Sequence, residues 1–221
     1  ALKVLPDVFA ENAERMSRFK REAQVLASLN HPNIAAIYGV EESSGQPALV
    51  LEFIDGETLA ARISRGPIPV ADALKIAVQI AEALEAAHEK NVIHRDLKPA
   101  NVKVTSQGVV KVLDFGLAKA LEDETNSSSR MSDSPTLSVA ATAAGVILGT
   151  AGYMAPEQAR GKRVDRRADV WAFGVLLFEM LTARRVFEGE TVADTLAKVL
   201  ERDPDWQDLP PRTPAAVRSL M

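Results

Sequence analysis

Residues 168–182 are apolar on almost every side of a helix, and no other stretch constrains the fold as strongly. A surface helix has one apolar stripe and one polar face, so a helix lacking the polar face must be enclosed. Its apolar run, residues 170–181, is too short to cross a bilayer and contains Glu179. It is therefore expected at the centre of a helical unit. With 221 residues, 47% hydrophobic and 25% charged, the chain suffices for one large domain or two small lobes sharing a core. The net charge of -4 gives no basic character suited to nucleic acid or an anionic membrane. The absence of cysteine excludes disulfides and thiolate metal sites and fits a reducing compartment. No signal-like or membrane-spanning segment stands out, and the cytoplasm is the expected location, with any membrane anchor outside these residues.

The chain opens on Ala1 directly in a strand-like run, residues 1–5, which suggests a fragment. A helix follows, with Phe19, Ala23, Leu26 and Leu29 at spacings of three and four. Asn30-His31-Pro32-Asn33 stops it, because proline and the residue before it resist helix. Two apolar runs, residues 34–40 and 48–53, flank Ser43-Ser44-Gly45 and read as a hairpin. Asp55-Gly56 marks a turn, beyond which mainly helix is expected. Residues 70–90 place Leu74, Ala77, Ile80, Ala81, Leu84 and Ala87 on one apolar face. Residues 102–105 and 109–113 read as a second hairpin around Gln107-Gly108, and residues 122–144 as a loop rich in Ser, Thr, Ala and acids. Another helix is expected near residues 192–200, and residues 203–214 read as a proline-rich loop.

The chemistry concentrates in two places. His94-Arg95-Asp96-Leu97-Lys98-Pro99-Ala100-Asn101 is followed by Asp114-Phe115-Gly116 at a strand end. Phosphoryl transfer needs metal ligands, a carboxylate to orient the attacking hydroxyl, and a cation for the moving phosphoryl group. Asp114 and Asn101 offer oxygens suited to Mg²⁺, Asp96 a proton acceptor, and Lys98, two residues on, a cation on the same side. Glu22 lies between Phe19 and Leu26 on an apolar helix face, where a carboxylate is costly unless a cation such as Lys3 meets it.

Taken together, these motifs resemble the protein kinase superfamily, specifically the bacterial-type serine/threonine kinase catalytic domain. Ala1-Leu2-Lys3, Gly149-Thr150, Ala155-Pro156-Glu157 and Asp169-Val170-Trp171-Ala172-Phe173-Gly174 fall in the order of that family. The resemblance implies an α+β, two-lobed fold: residues 1–53 a partial antiparallel β lobe running to the hinge, residues 54–221 a mainly helical lobe lacking its last helices. It implies transfer of the ATP γ-phosphate to Ser or Thr hydroxyls of protein substrates, with ATP and Mg²⁺ required. Asp96, Lys98 and Thr150 would be catalytic, and Asn101 and Asp114 the metal ligands. Ala1, Lys3, Glu22, Leu51, Glu52 and Ile54 would bind the nucleotide, Glu52 and Ile54 through main-chain groups on the adenine edge. Asp169 would hold the catalytic loop backbone. Lys98 and Thr150 sit where the serine/threonine branch has its lysine and threonine. Arg95 has a regulatory reading, binding a phosphorylated Thr136, Ser138 or Thr142, with Thr142 favoured because it lies nearest Thr150.

Bland readings stand beside these. His94 is expected to be structural, packed on Phe115; His31 is read as a loop residue and His88 as helix packing. Lys3 without Glu22 would be an ordinary edge-strand lysine. The family pattern also fails in three places. The glycine-rich strands before Lys3 are absent, so weak ATP binding and slow turnover are expected of these residues alone. Lys103 stands where the family has an apolar residue under adenine: either its stem packs there with the amine outward, or a one-residue shift puts Val102 or Val104 underneath. The arginine that would pair with Glu157 is expected to lie beyond the end, leaving Glu157 uncompensated or paired with Arg218 or a neighbour. The alternative functions are a pseudokinase-like scaffold and a small-molecule phosphotransferase.

Overall fold

The computed structural model describes residues 1–5, 13–43, 46–115 and 150–220. Its α+β architecture is the expected one. Strand β1 (Leu2–Val4), helix α1 (Ala13–Ala27), and strands β2 (Ile37–Ser43) and β3 (Gln46–Leu51) come first. The sheet order is β1-β3-β2, antiparallel, with a register shift between Ile37 and Gly39. Helix α1 buries Phe19, Ala23 and Leu26, the spacing visible in the sequence. Strand β2 begins three residues later than residue 34. Ile34 instead forms a parallel bridge to Val112, so the chain between α1 and β2 is tied to the second sheet.

The second sheet contains the expected hairpin and adds to it a strand that the sequence did not indicate. Gly56–Thr58 forms strand β4, which pairs with β5 (Val102–Thr105), and β5 pairs with β6 (Val110–Val112). Three residues beginning with glycine carry no alternation, so β4 has no sequence signature. Glycine is required there, since a Cβ on Gly56 would lie 2.6 Å from the Val104 carbonyl oxygen. Strands β5 and β6 share the triplet Val-Lys-Val, and period-two alternation sorts it. Val102, Val104, Val110 and Val112 are buried, while Lys103 and Lys111, directly opposite each other, share the other face.

The helical part comprises α2 (Leu59–Ile63), α3 (Val70–Glu89), α4 (Pro156–Ala159), α5 (Arg167–Thr182), α6 (Val192–Glu201) and α7 (Ala215–Leu220). Helix α5 is the enclosed helix, with residues 175–181 all buried. It packs on α3, whose buried face is Ala73, Ile76, Ala77, Ile80, Ala83, Leu84 and Ala87. The expected stripe was rotated: Leu74 is half-buried and Ala81 exposed. Several alanines fit either face, so alanine spacing alone does not orient this helix. Among the described residues no helix is long and apolar enough to cross a membrane.

Candidate functional site

The loop after α3 reaches its shape through one buried carboxylate. Asp169, 1% exposed on α5, accepts from the backbone N–H of His94 and of Arg95, each at 2.8 Å. His88 Nε2 of α3 lies 2.7 Å from the same carboxylate. Arg95 adopts φ +68°, the left-handed region disfavoured for any residue with a Cβ. Its N–H is held by Asp169 and its carbonyl accepts from Gln158 Nε2 at 2.9 Å, so α4 and α5 together enforce the turn.

His94 is fully buried, 4.6 Å from the Phe115 ring. Its Nε2 lies 2.9 Å from the Leu113 carbonyl, which can only accept, and its Nδ1 accepts from the Asp96 N–H at 3.2 Å. One nitrogen donating and the other accepting defines the neutral ring. Burial, the largest influence, likewise holds its pKa below the usual histidine value against the fields of Asp169 and other carboxylates.

Four of the sequence-selected side chains converge at this turn. Lys98 Nζ donates to both Asp96 carboxylate oxygens, at 3.1 and 2.8 Å, and to Thr150 Oγ1 at 2.9 Å. Asn101 Nδ2 donates to the Asp96 carbonyl at 2.8 Å and carboxylate at 3.1 Å. Leu113 N–H donates to the Asn101 carbonyl, which joins this loop to the one bearing Asp114. Asp114, at φ +60°, accepts from Lys3 Nζ at 2.7 Å, bringing together residues 111 positions apart. Glu22 lies on α1, but its side chain is outside the described residues, as are Gly116, Gly149, Thr136, Ser138 and Thr142.

Ala1 and Leu51 exchange backbone hydrogen bonds between β1 and β3. The Glu52 carboxylate accepts from Lys111 Nζ at 3.0 Å and from the Ala36 N–H at 2.9 Å. Lys103 Nζ donates to the Ile54 carbonyl at 3.0 Å and lies 5.9 Å from the Phe53 ring centre. Among the described residues, no partner is found for the Ile54 N–H or the Glu52 carbonyl. No register shift occurs, because Val102 and Val104 are in the core. Nor does the Lys103 amine point outward; it is turned onto the linker, residues 52–54, at the Ile54 carbonyl.

Of the alternatives for Glu157, the structure removes Arg218. Arg218 donates to the carbonyls of Trp206, Leu209, Pro210 and Thr213, tying down the C-terminal loop, and not to Glu157. The field of Glu157 contributes, after the Asp165 hydrogen bond and charge, to raising the pKa of the neighbouring Arg167. The sequence assigns no role to Lys111 or Gln158 and offers His88 only as a helix-packing residue. The repeated Val-Lys-Val signals that Lys103 and Lys111 share a face; nothing local signals the partners of His88 or Gln158.

The donor chemistry fits a hard cation. Asn101 commits its amide nitrogen to Asp96, leaving the amide oxygen, and Asp114 contributes a carboxylate. Among the described residues no cluster of three or more acidic, histidine or cysteine ligands is preformed. Few protein oxygens plus ligands from a phosphate is the habit of Mg²⁺.

Beside this turn, Tyr153 donates its hydroxyl to the Glu179 carboxylate inside the core. Burial raises the Glu179 pKa above the ordinary 4.5, outweighing the hydrogen bond from Tyr153 and the field of Arg185. The native state therefore holds this proton more tightly than the unfolded chain does. The contribution to stability is full at low pH and falls as pH rises from 4.5 through the raised native value. Glu179→Gln abolishes the titration. Urea midpoints measured from about pH 4 to about pH 8 are expected to fall in the parent relative to this variant. A constant difference across that range would contradict the assignment.

A family profile for the protein kinase domain matches residues 1–215. The chain is 38% identical over 223 residues to the Probable serine/threonine-protein kinase PknB of Lactococcus lactis, covering 100% of this chain and 33% of that protein. It is 40% identical over 209 residues to the Serine/threonine-protein kinase PknB of Mycobacterium leprae, covering 92% and 31%. It is 36% identical over 223 residues to the Serine/threonine-protein kinase PrkC of Bacillus subtilis, covering 100% and 32%. The chain thus spans about a third of the length of these curated relatives.

Proposed function

The chain belongs to the protein kinase domain family, and from that premise we propose that it transfers the γ-phosphate of ATP to serine or threonine hydroxyls of protein substrates. The observation that best supports this reading is the network of Asp96, Lys98, Asn101 and Thr150 at one turn. In this reading residues 1–53 and 54–221 are the two lobes, and the nucleotide lies between them.

The acceptor hydroxyl donates to Asp96 and attacks the γ-phosphorus. The bond to the β,γ-bridging oxygen breaks, ADP leaves, and the hydroxyl proton passes to the Asp96 carboxylate. Lys98, already on Asp96 and Thr150, keeps the carboxylate oriented and offsets charge on the moving group. Asn101 and Asp114 would hold magnesium, which when bound neutralises charge on the phosphates. Lys3 would exchange Asp114 for the α- and β-phosphates, with Glu22 holding it there. The carbonyl of Glu52 and the N–H of Ile54 would meet the amino group and a ring nitrogen of adenine, against Leu51 and Ala1. Arg95 would read a phosphorylated Thr136, Ser138 or Thr142.

The test uses the full-length protein with γ-labelled ATP, Mg²⁺ and a general protein substrate. Label is expected on serine and threonine and is lost when Mg²⁺ is chelated. Nucleotide binding without any label transfer would replace this reading with that of a scaffold.

A further inference from the structure

The kinase reading supplies no task for the Lys103 side chain. It stands two residues beyond Asn101 on β5, on the face opposite the buried valines, half-buried. Its cross-strand partner Lys111 is neutralised by Glu52. Lys103 has no carboxylate among the described residues. Its ammonium is held by the neutral carbonyl of Ile54, beside the Phe53 ring. A ligand whose phosphates sit at Asn101 and Asp114 and whose base reaches residues 52–54 must cross this lysine.

The linker therefore does not offer a simple row of acceptor, donor, acceptor. Among the described residues the Glu52 carbonyl and the Ile54 N–H are open, but the Ile54 carbonyl already accepts from Lys103. A base docked on the Ile54 N–H brings its next edge position beside that carbonyl. A donor at this position must share a carbonyl that already accepts from Lys103, and it meets a cation whose remaining N–H groups also seek acceptors. A C–H is tolerated, and an acceptor is welcomed. We propose that Lys103 is a specificity-determining residue that selects against nucleobases, and other planar ligands, carrying a hydrogen-bond donor toward Ile54 O. For purines docked through a ring acceptor on the Ile54 N–H, this means discrimination against a 2-amino group.

The inference rests on the nucleotide reading above, and one pair of probes separates the two. ATP and 2-amino-ATP differ only by the group in question. Calorimetric titration of the full-length protein is expected to show 2-amino-ATP bound about tenfold more weakly than ATP, the order of effect of one donor left unmet. Lys103→Met, which keeps an unbranched stem and frees the carbonyl, is expected to remove or reverse that preference. Lys103→Leu serves as a second neutral variant should the first fail to fold, and the measurement on the unaltered protein needs no variant. Equal or tighter binding of 2-amino-ATP by the unaltered protein overturns the proposal. So does a preference that both variants leave unchanged. Failure of the unaltered protein to bind either nucleotide overturns the nucleotide reading as well.

Discussion

Asp96→Asn is expected to slow phosphoryl transfer by about 10²- to 10⁴-fold, the usual worth of a positioned base, while leaving fold and nucleotide binding intact. Asp96 is 29% exposed in its side chain, so the change leaves no charge stranded in the core. An asparagine oxygen can still accept from Lys98 and Asn101, which now share the carboxylate. What it cannot do is take up the hydroxyl proton as the phosphoryl group arrives. The loss therefore falls on the chemical step. Single-turnover rates at saturating ATP, beside calorimetric ATP affinity and a urea midpoint, check this. An unaltered rate would remove Asp96 from the mechanism, and a collapsed midpoint would make it a structural residue.

Asp169→Ala should show the complementary pattern, losing stability and activity together. The carboxylate is 1% exposed and serves two backbone N–H groups and the His88 ring. Removing it strands those donors in the core and releases Arg95 from a backbone conformation it would not adopt unaided. Breaking a buried charged network of this kind costs about 3–5 kcal/mol. In a domain of this size each kcal/mol lowers Tm by about 2–4 °C, so a drop of about 10 °C is expected. Catalysis should fall as well, because Asp96 and Lys98 directly follow the released turn. Denaturant titration and the same single-turnover assay check both. A destabilisation below about 1 kcal/mol would mean that water or another group already satisfies these donors.

The two aspartates differ in how they announce themselves. Asp96 is legible because Lys98 and Asn101 accompany it at short, fixed intervals and the chemistry needs all three. Asp169 stands at the start of an enclosed helix, where a carboxylate demands partners, but its donors lie 74, 75 and 81 residues away. Family resemblance supplied the loop backbone as its target; the His88 contact had no such cue. Strand β4 escaped for a different reason. A three-residue strand beginning at glycine is defined by the neighbour it lies against, not by any pattern of its own.

Alternation and helical spacing are local properties, written every two or every three to four residues. They suffice for the enclosed α5, the paired Val-Lys-Val strands and the apolar spacing of α1. Which polar atom a long side chain reaches is not local. Lys3 meets Asp114, Lys111 meets Glu52, and Lys103 turns to the Ile54 carbonyl across 49 residues. A lysine's flexible stem offers its ammonium to many acceptors at similar energy. Only the packing of the strands against the linker between residues 52 and 54 decides which acceptor comes within reach.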